Sequence, residues 1–316
     1  MLDIVGAGMA GLLAANMLKH MQPVVYEKAK SLPNNHSAVL RFRSSIVGDT
    51  LRIPFRKVSM IKDILPWQSP VADALAYSKK CSGTYRSDRS IIGGLTTGDR
   101  FIAPDNLISM MEEGLQVRYN QDFDFDEIPL APVISTIPMP HLMQALHWEH
   151  RNEVTFKAER GVNVRARIKN CDAYVSLYVP DPMYPFSRIS LTGDELIVEC
   201  PRYWINGADI VSENEEAKVR RPSDLAELAA NCLGIDCNEV YDVRAYAQVY
   251  SKIVPIPDDI RKEFLFWATD KHNVYSLGRF ATWRPSLLLD DLVNDIRLIE
   301  KWTTKGRGRY EAARHR

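Results

Sequence analysis

Three glycines and one glutamate carry the clearest chemistry in this chain. Gly6, Gly8 and Gly11 stand in Gly6-Ala7-Gly8-Met9-Ala10-Gly11, directly after the strand-like run Leu2-Asp3-Ile4-Val5, and Glu27 stands 21 positions after Gly6. This is the spacing with which a strand, a tight turn and a helix bind a dinucleotide. Gly6 permits the turn out of the strand. Gly8 lets the backbone approach a pyrophosphate, and Gly11 lets helix and strand pack closely. Met9 and Ala10 open the helix, whose N–H groups and positive dipole end suit phosphate. Glu27 accepts hydrogen bonds from ribose hydroxyls, and Lys28 beside it joins the expected cofactor contacts.

The surrounding elements agree with that chemistry. Leu12 to Leu18 reads as a helix and Val24-Val25-Tyr26 as a second strand, which completes a βαβ unit. A helix is expected from Pro104 to about Gly114, then strands at Leu115–Tyr119 and Pro132–Ile137, the last stopped by Pro138 and Pro140. From Glu153 to Cys200 the character changes. Val162, Val164, Ala166 and Ile168 alternate with other residues at the period of a half-buried strand. Tyr174–Val179 is a further strand, and Ile189–Leu191 and Leu196–Glu199 flank a turn at Thr192-Gly193-Asp194-Glu195, a hairpin. Residues 222–234 read as a helix, Tyr241–Tyr250 and Val274–Leu277 as strands, and Ser286–Trp302 as a last helix burying Leu289, Leu292, Val293 and Ile296. The fold class expected is α/β, a Rossmann-type binding domain with an inserted antiparallel-sheet substrate domain. The binding domain is assigned to 1–60, 100–145 and 240–316, the substrate domain to 61–99 and 146–239. Gly93, Gly94 and Gly98 mark a turn rather than a second fingerprint.

The chain has 316 residues, 40 basic and 40 acidic, so its formal net charge is zero, which argues against a protein that coats nucleic acid. Charge is uneven at the end: from Lys301 to Arg316 stand Lys301, Lys305, Arg307, Arg309, Arg314 and Arg316 against the single acid Glu311. DNA contact through this basic tail is the expectation it raises. Cys81, Cys171, Cys200, Cys232 and Cys237 are odd in number and form no Cys-x-x-Cys, so neither a disulfide framework nor a metal site is expected. Free thiols suit a cytoplasmic protein. No stretch approaches the ~18 apolar residues of a membrane span.

Toward the end, Asn273-Val274-Tyr275-Ser276-Leu277-Gly278-Arg279 leads through Phe280-Ala281-Thr282-Trp283-Arg284 into the last helix. This segment, the N-terminal fingerprint and the 133–138 strand together resemble the FAD-binding parts of the flavoprotein superfamily of amine oxidases, protoporphyrinogen oxidase, phytoene desaturase and UDP-galactopyranose mutase. Gly278-Arg279 followed by an aromatic residue and an arginine is most similar to the mutase branch. The resemblance implies FAD, its ADP half on the first fingerprint and its flavin end on the last strand, loop and helix. It puts Val117 on the strand that meets adenine, Thr136 near the cofactor, and Gly278, Arg279 and Leu289 among the cofactor contacts. The Gly-Gly-Arg frequent in the family after the second strand is absent. Asn34-Asn35-His36 and Arg41-Phe42-Arg43 stand there, so Arg41 and Arg43 are both candidates for the pyrophosphate. A single fingerprint makes a separate NAD(P)H domain unexpected.

By the same resemblance Lys252, at a strand end, is the candidate cation near flavin N5, and His36 a candidate acid or base. Trp283, Arg284 and Arg188 are candidates for the substrate side. The resulting expectation is an FAD-dependent oxidoreductase of amine-oxidase type, oxidising or cleaving a C–N bond. Two alternatives stand beside it. One is a mutase-like, non-redox flavoenzyme on a nucleotide sugar. The other is a flavin enzyme acting on an amino-acid-modified thymine in DNA, of the kind found in phage thymidine-hypermodification systems. The partner expected is a small-molecule amine or modified nucleotide.

Overall fold

The computed structural model describes residues 2–32, 41–86, 95–126, 131–201 and 221–304. In chain order the elements are β1 (Leu2–Val5), α1 (Met9–Met17), β2 (Pro23–Tyr26), β3 (Arg41–Phe42), α2 (Ile46–Leu51), β4 (Arg56–Ile64), α3 (Pro70–Ser82), β5 (Thr96–Ile102), α4 (Leu107–Glu112) and β6 (Gln116–Arg118). Then come β7 (Val133–Ser135), α5 (Met139–Ala145), β8 (Ala158–Ile168), β9 (Ala173–Tyr178), β10 (Arg188–Gly193), β11 (Glu195–Pro201), α6 (Pro222–Cys232), β12 (Val240–Ile253), α7 (Asp258–His272), β13 (Val274–Ser276) and α8 (Leu289–Thr304).

Two sheets divide the strands. The first is parallel throughout, in the order β13-β7-β1-β2-β6. β1, β7 and β13 are short and buried along their whole length, as strands covered on both sides require. Ile4, Ile134 and Tyr275 face a core shared with α1 and α8, through Leu12, Leu13, Leu292, Val293 and Ile296. Val5, Val133 and Val274 face the opposite core, shared with α5 and α7 through Leu142 and Phe264.

The second sheet runs β12-β8-β11-β10-β9-β4-β5-β3. Its pairings are antiparallel except that β4 lies parallel to β9, so the sheet is mixed rather than wholly antiparallel as expected. One face is a dry core: Val162, Val164, Ala166, Ile168, Ile189, Leu191, Leu196 and Val198 pack under α6. The other face carries Ser176, Ser190, Asn163, Arg188 and Glu199, because alternation along each strand sends neighbouring residues to opposite sides.

Sheet membership differs from the segment boundaries expected from sequence. β3, the first half of β4, the end of β5 and all of β12 hydrogen-bond into the second sheet. The longer strands β4 and β12 pair where register and side-chain alternation match, and the two-residue β3 follows by pairing with the end of β5. Gly98 lies within β5, opposite Met60, instead of in a turn, while Gly93 and Gly94 fall outside the described residues. Among the described residues no helix is long and apolar enough to cross a membrane.

Candidate cofactor and substrate site

The glycine turn is built as its spacing requires. Gly6 has φ +94°, in the left-handed region open to glycine, and its N–H donates to Tyr26 O at 2.8 Å. A Cβ at Gly11 would lie 1.9 Å from Gly6 O, so any side chain there forces α1 off β1. Gly8 is different. A Cβ there meets nothing within 4 Å, which leaves open space above the turn. No side chain caps the N-terminus of α1 and no acid stands in its first turn. Those backbone donors and the dipole therefore face that space with no capping side chain and no first-turn acid on them. Glu27 Oε2 accepts from Ala7 N–H and Oε1 from Ala29 N–H, both at 2.8 Å, which holds the carboxylate at the rim of the turn.

The far end of the chain closes the same cradle. β13 lies beside β7, and Thr136, just past β7, donates its hydroxyl to Val5 O (2.9 Å) and Gly6 O (3.2 Å). Gly278 follows β13 with φ +100°, and a Cβ there would stand 3.2 Å from the Ala10 Cβ. The two ends of the chain thus meet at one helix start. Leu289 packs against the core of the first sheet at the start of α8. There Asp290 accepts from the Ser44 N–H (3.0 Å) and hydroxyl (2.9 Å). Val117 sits in β6 and pairs its backbone with Val25 of β2. Arg279 lays its guanidinium 4.8 Å from the Phe280 ring centroid.

Several candidates sit elsewhere than expected. Arg41 does not reach the turn. Its guanidinium donates to Val175 O and Ser176 Oγ, both at 2.9 Å, because β3 has joined the second sheet. Arg43 is exposed, with its backbone N–H toward Asp290. Lys28 points outward to Asp122 at 2.6 Å. Trp283 is no pocket wall. It is 1% exposed, packs edge-on to Phe156, and donates Nε1–H to Val254 O at 2.8 Å. Its backbone lies at φ +48°, a region bulky residues seldom adopt, and core packing holds it there. Arg284 pairs with Asp295 of α8. His36 lies outside the described residues.

Arg188 and Lys252, chosen separately from sequence, meet on one carboxylate. Arg188 Nη2 donates to Glu199 Oε1, its cross-strand partner in the β10–β11 hairpin, and Lys252 Nζ lies 3.9 Å from Glu199 Oε2. Glu199 was not picked from sequence, though the hairpin turn at Gly193 already fixes its pairing with Arg188. Burial alone would raise the Glu199 carboxyl. Arg188, Lys252 and Arg41 outweigh it and bring it down to about 2. Burial, then the charge of Arg188, lowers Arg41 to about 10. Tyr77 of α3 lies edge-on to Tyr178, 5.5 Å between centroids, and covers this cluster, with its phenol pushed up by burial. Lys80 fastens α3 there by donating to Val179 O (2.9 Å) and Asp181 O (2.6 Å), and burial lowers it to about 8. Outside α3, an apolar cleft of about 660 Å³ opens between Leu75, Tyr85 and Pro182.

Trp283 links the cluster to the cradle. Val254, which accepts its indole N–H, comes two residues after Lys252, so the end of β12 is tied to the loop that follows Gly278. Among the described residues no group of three or more His, Cys, Asp or Glu is placed to hold a metal.

No protein-family model matches this chain, and no curated protein matches it in sequence. Solved structures do match over nearly its whole length. Reduced UDP-galactopyranose mutase is similar with a TM-score of 0.66 at 14% identity, covering 99% of this chain and 98% of that one. A CLA-producing fatty acid isomerase from P. acnes gives 0.60 at 12%, covering 95% and 98%. A protein assigned as an FAD-containing monooxygenase from Photorhabdus luminescens gives 0.52 at 11%, covering 98% and 89%. At these identities the likeness describes the fold: a parallel sheet joined to a mixed sheet.

Proposed function

We propose that this chain is an FAD-dependent oxidoreductase of amine-oxidase type. The observation that carries the cofactor is the open space above Gly8, faced by the uncapped start of α1, with Glu27 at its rim. These residues fit an ADP moiety. The α1 N-terminus would hold the pyrophosphate and Glu27 the ribose, while Gly278 and Arg279 would meet the flavin end. The full-length likeness to the FAD-containing monooxygenase supports FAD over a smaller nucleotide.

When bound, FAD supplies a two-electron acceptor for the C–H bond next to an amine nitrogen, leaving an imine that water hydrolyses to carbonyl and amine. The chain's own part is orientation and electrostatics. Lys252 would present a positive charge where negative charge builds during transfer, with Glu199 and Arg188 fixing its strand position. Trp283 would act as a positioning residue, holding the end of β12 against the loop after Gly278.

A second reading is favoured by one observation, the mutase likeness across 99% of the chain: a flavoenzyme that rearranges a nucleotide sugar without net redox change. The reading that involves modified thymine in DNA rests on the basic tail and remains a proposal. The deciding experiment is the absorbance spectrum of purified protein, followed by anaerobic bleaching with amines, UDP-galactofuranose or modified DNA. Lys252→Met is expected to keep FAD and slow bleaching by about 10²–10³-fold, the scale of one lost electrostatic contact. Bleaching at the wild-type rate would remove Lys252 from the reaction.

A further inference from the structure

One peptide unit of the glycine turn is held at both ends. The Gly6 carbonyl accepts from the Thr136 hydroxyl at 3.2 Å, and the N–H of the same peptide, on Ala7, donates to Glu27 Oε2 at 2.8 Å. Thr136 comes from just past β7 and Glu27 from just past β2, the strands on either side of β1. Both holders are fixed in turn. The Thr136 N–H and hydroxyl each donate to Val5 O at 2.9 Å, and Glu27 Oε1 accepts from Ala29 N–H.

This peptide is one that needs holding. Gly6 lies at φ +94°, and glycine moves between backbone conformations closed to other residues. Half a turn of the Gly6–Ala7 peptide would set Gly6 O against the Glu27 carboxylate and take the Ala7 N–H from it. Contacts on two sides oppose that motion. A Cβ at Gly6 would lie 2.4 Å from Thr136 Oγ1, and one at Gly11 would lie 1.9 Å from Gly6 O, so the unit is seated between Thr136 and α1.

The consequence falls on Glu27. An ionised carboxylate accepts about four hydrogen bonds. With one backbone N–H on each oxygen, a lone pair remains on each for the ribose. Where those lone pairs point depends on where Ala7 and Ala29 stand.

We propose that Thr136 is a positioning residue for the nucleotide: it acts through the Gly6–Ala7 peptide on Glu27 and so sets how well the protein reads the ribose 2′-hydroxyl. The proposal rests on the nucleotide half of the FAD reading above and adds to it a residue 130 positions from the turn. Two other roles for Thr136 predict otherwise. A residue that only packs beneath the turn affects all nucleotides alike. One that touches phosphate or flavin directly is blind to the 2′-hydroxyl.

The test is calorimetric titration of the flavin-stripped full chain with ADP and with 2′-deoxy-ADP, for wild type, Thr136→Ala and Thr136→Ser. Wild type is expected to prefer ADP by about tenfold or more, the scale of a hydrogen bond to a charged group. Thr136→Ala is expected to narrow that ratio by about threefold or more, as members of one hydrogen-bond network couple. Thr136→Ser keeps the hydroxyl and is expected to restore it. Lost packing alone would weaken both nucleotides and leave the ratio where it was. An unchanged ratio in Thr136→Ala overturns the proposal. So does a ratio that Thr136→Ser fails to restore, or a wild type indifferent to the 2′-hydroxyl. Flavin absorbance separates this claim from the one it rests on. A yellow protein whose ratio Thr136→Ala leaves unmoved keeps the FAD reading and loses the role of Thr136. A protein that takes up no added FAD, yet whose ratio falls in Thr136→Ala and returns in Thr136→Ser, keeps the role and loses the flavoenzyme reading.

Discussion

At the scale of single residues, two glycines of one motif serve different ends, and substitution separates them. Gly8 has room for a side chain in the protein itself, so Gly8→Val is expected to fold with the melting temperature of the flavin-free wild type and to lose FAD, its branched side chain filling the pyrophosphate space. Gly11 has no room. A Cβ 1.9 Å from Gly6 O must push α1 away from β1, and Gly11→Ala is expected to cost about 3 kcal/mol or more by overpacking. Urea midpoints and bound flavin, measured on both variants, check the contrast. Flavin-loaded Gly8→Val would falsify the cofactor site. Glu199 makes a pH prediction. Its carboxyl falls from 4.5 to about 2 in the folded protein, so its contribution is full above about pH 4.5 and is lost as pH falls through 2. Glu199→Gln is expected to be less stable at pH 7 by about 3 kcal/mol, near the lower end for a broken buried pair because both partners keep some exposure. It is also expected to have a flatter stability profile between pH 4.5 and 2. Parallel acid limbs in the two proteins would show that Glu199 is not the group titrating there.

At the scale of elements, local patterns were legible and lateral assembly was not. The βαβ unit, the hairpin of β10 and β11, and the buried stripe of α8 follow from turn residues and periodicity, and their residues lie where those signals put them. Whether a strand joins the first or the second sheet depends on pairing over long sequence distances. Arg41 illustrates the cost: its neighbours Val175 and Ser176 are more than 130 positions away, and nothing within the short Arg41-Phe42-Arg43 run distinguishes a sheet contact from a phosphate contact. Trp283 is a similar case. An aromatic residue after a cofactor loop reads as a pocket wall, but its single indole donor finds Val254 O and makes it a tie between the two sheets. Trp283→Phe keeps a ring and removes that hydrogen bond. It is expected to cost at least about 1 kcal/mol of stability and, by loosening the end of β12 from the loop after Gly278, to weaken FAD binding although the indole touches no cofactor position. An unchanged FAD dissociation constant would confine Trp283 to the core.

At the scale of the whole molecule, the chain is organised by the meeting of its two ends, Gly278 of the last strand against Ala10 of the first helix, and α8 then packs back on α1. Residues 305–316, beyond α8, fall outside the described residues. Trp302 is buried, and the Thr303 and Thr304 hydroxyls bond back to carbonyls of the helix, so the folded unit needs the chain as far as Thr304. Truncation after Thr304 is therefore expected to leave melting temperature and FAD affinity unchanged. It removes Lys305, Arg307, Arg309, Arg314 and Arg316 with only Glu311 among them. Each phosphate neutralised on duplex DNA adds about 0.9 to the slope of log affinity against log salt concentration. If the tail is the DNA contact, the full chain is expected to bind duplex with a slope steeper than the truncated chain's by about 2–4. The two should also converge in affinity at high salt, where counterion release no longer drives binding. Fluorescence anisotropy of a labelled duplex, read at a series of salt concentrations with both proteins, measures the difference. Identical slopes would mean that the tail touches no phosphate. The modified-thymine reading would then lose the feature that supports it, in keeping with a formal net charge of zero over the whole chain.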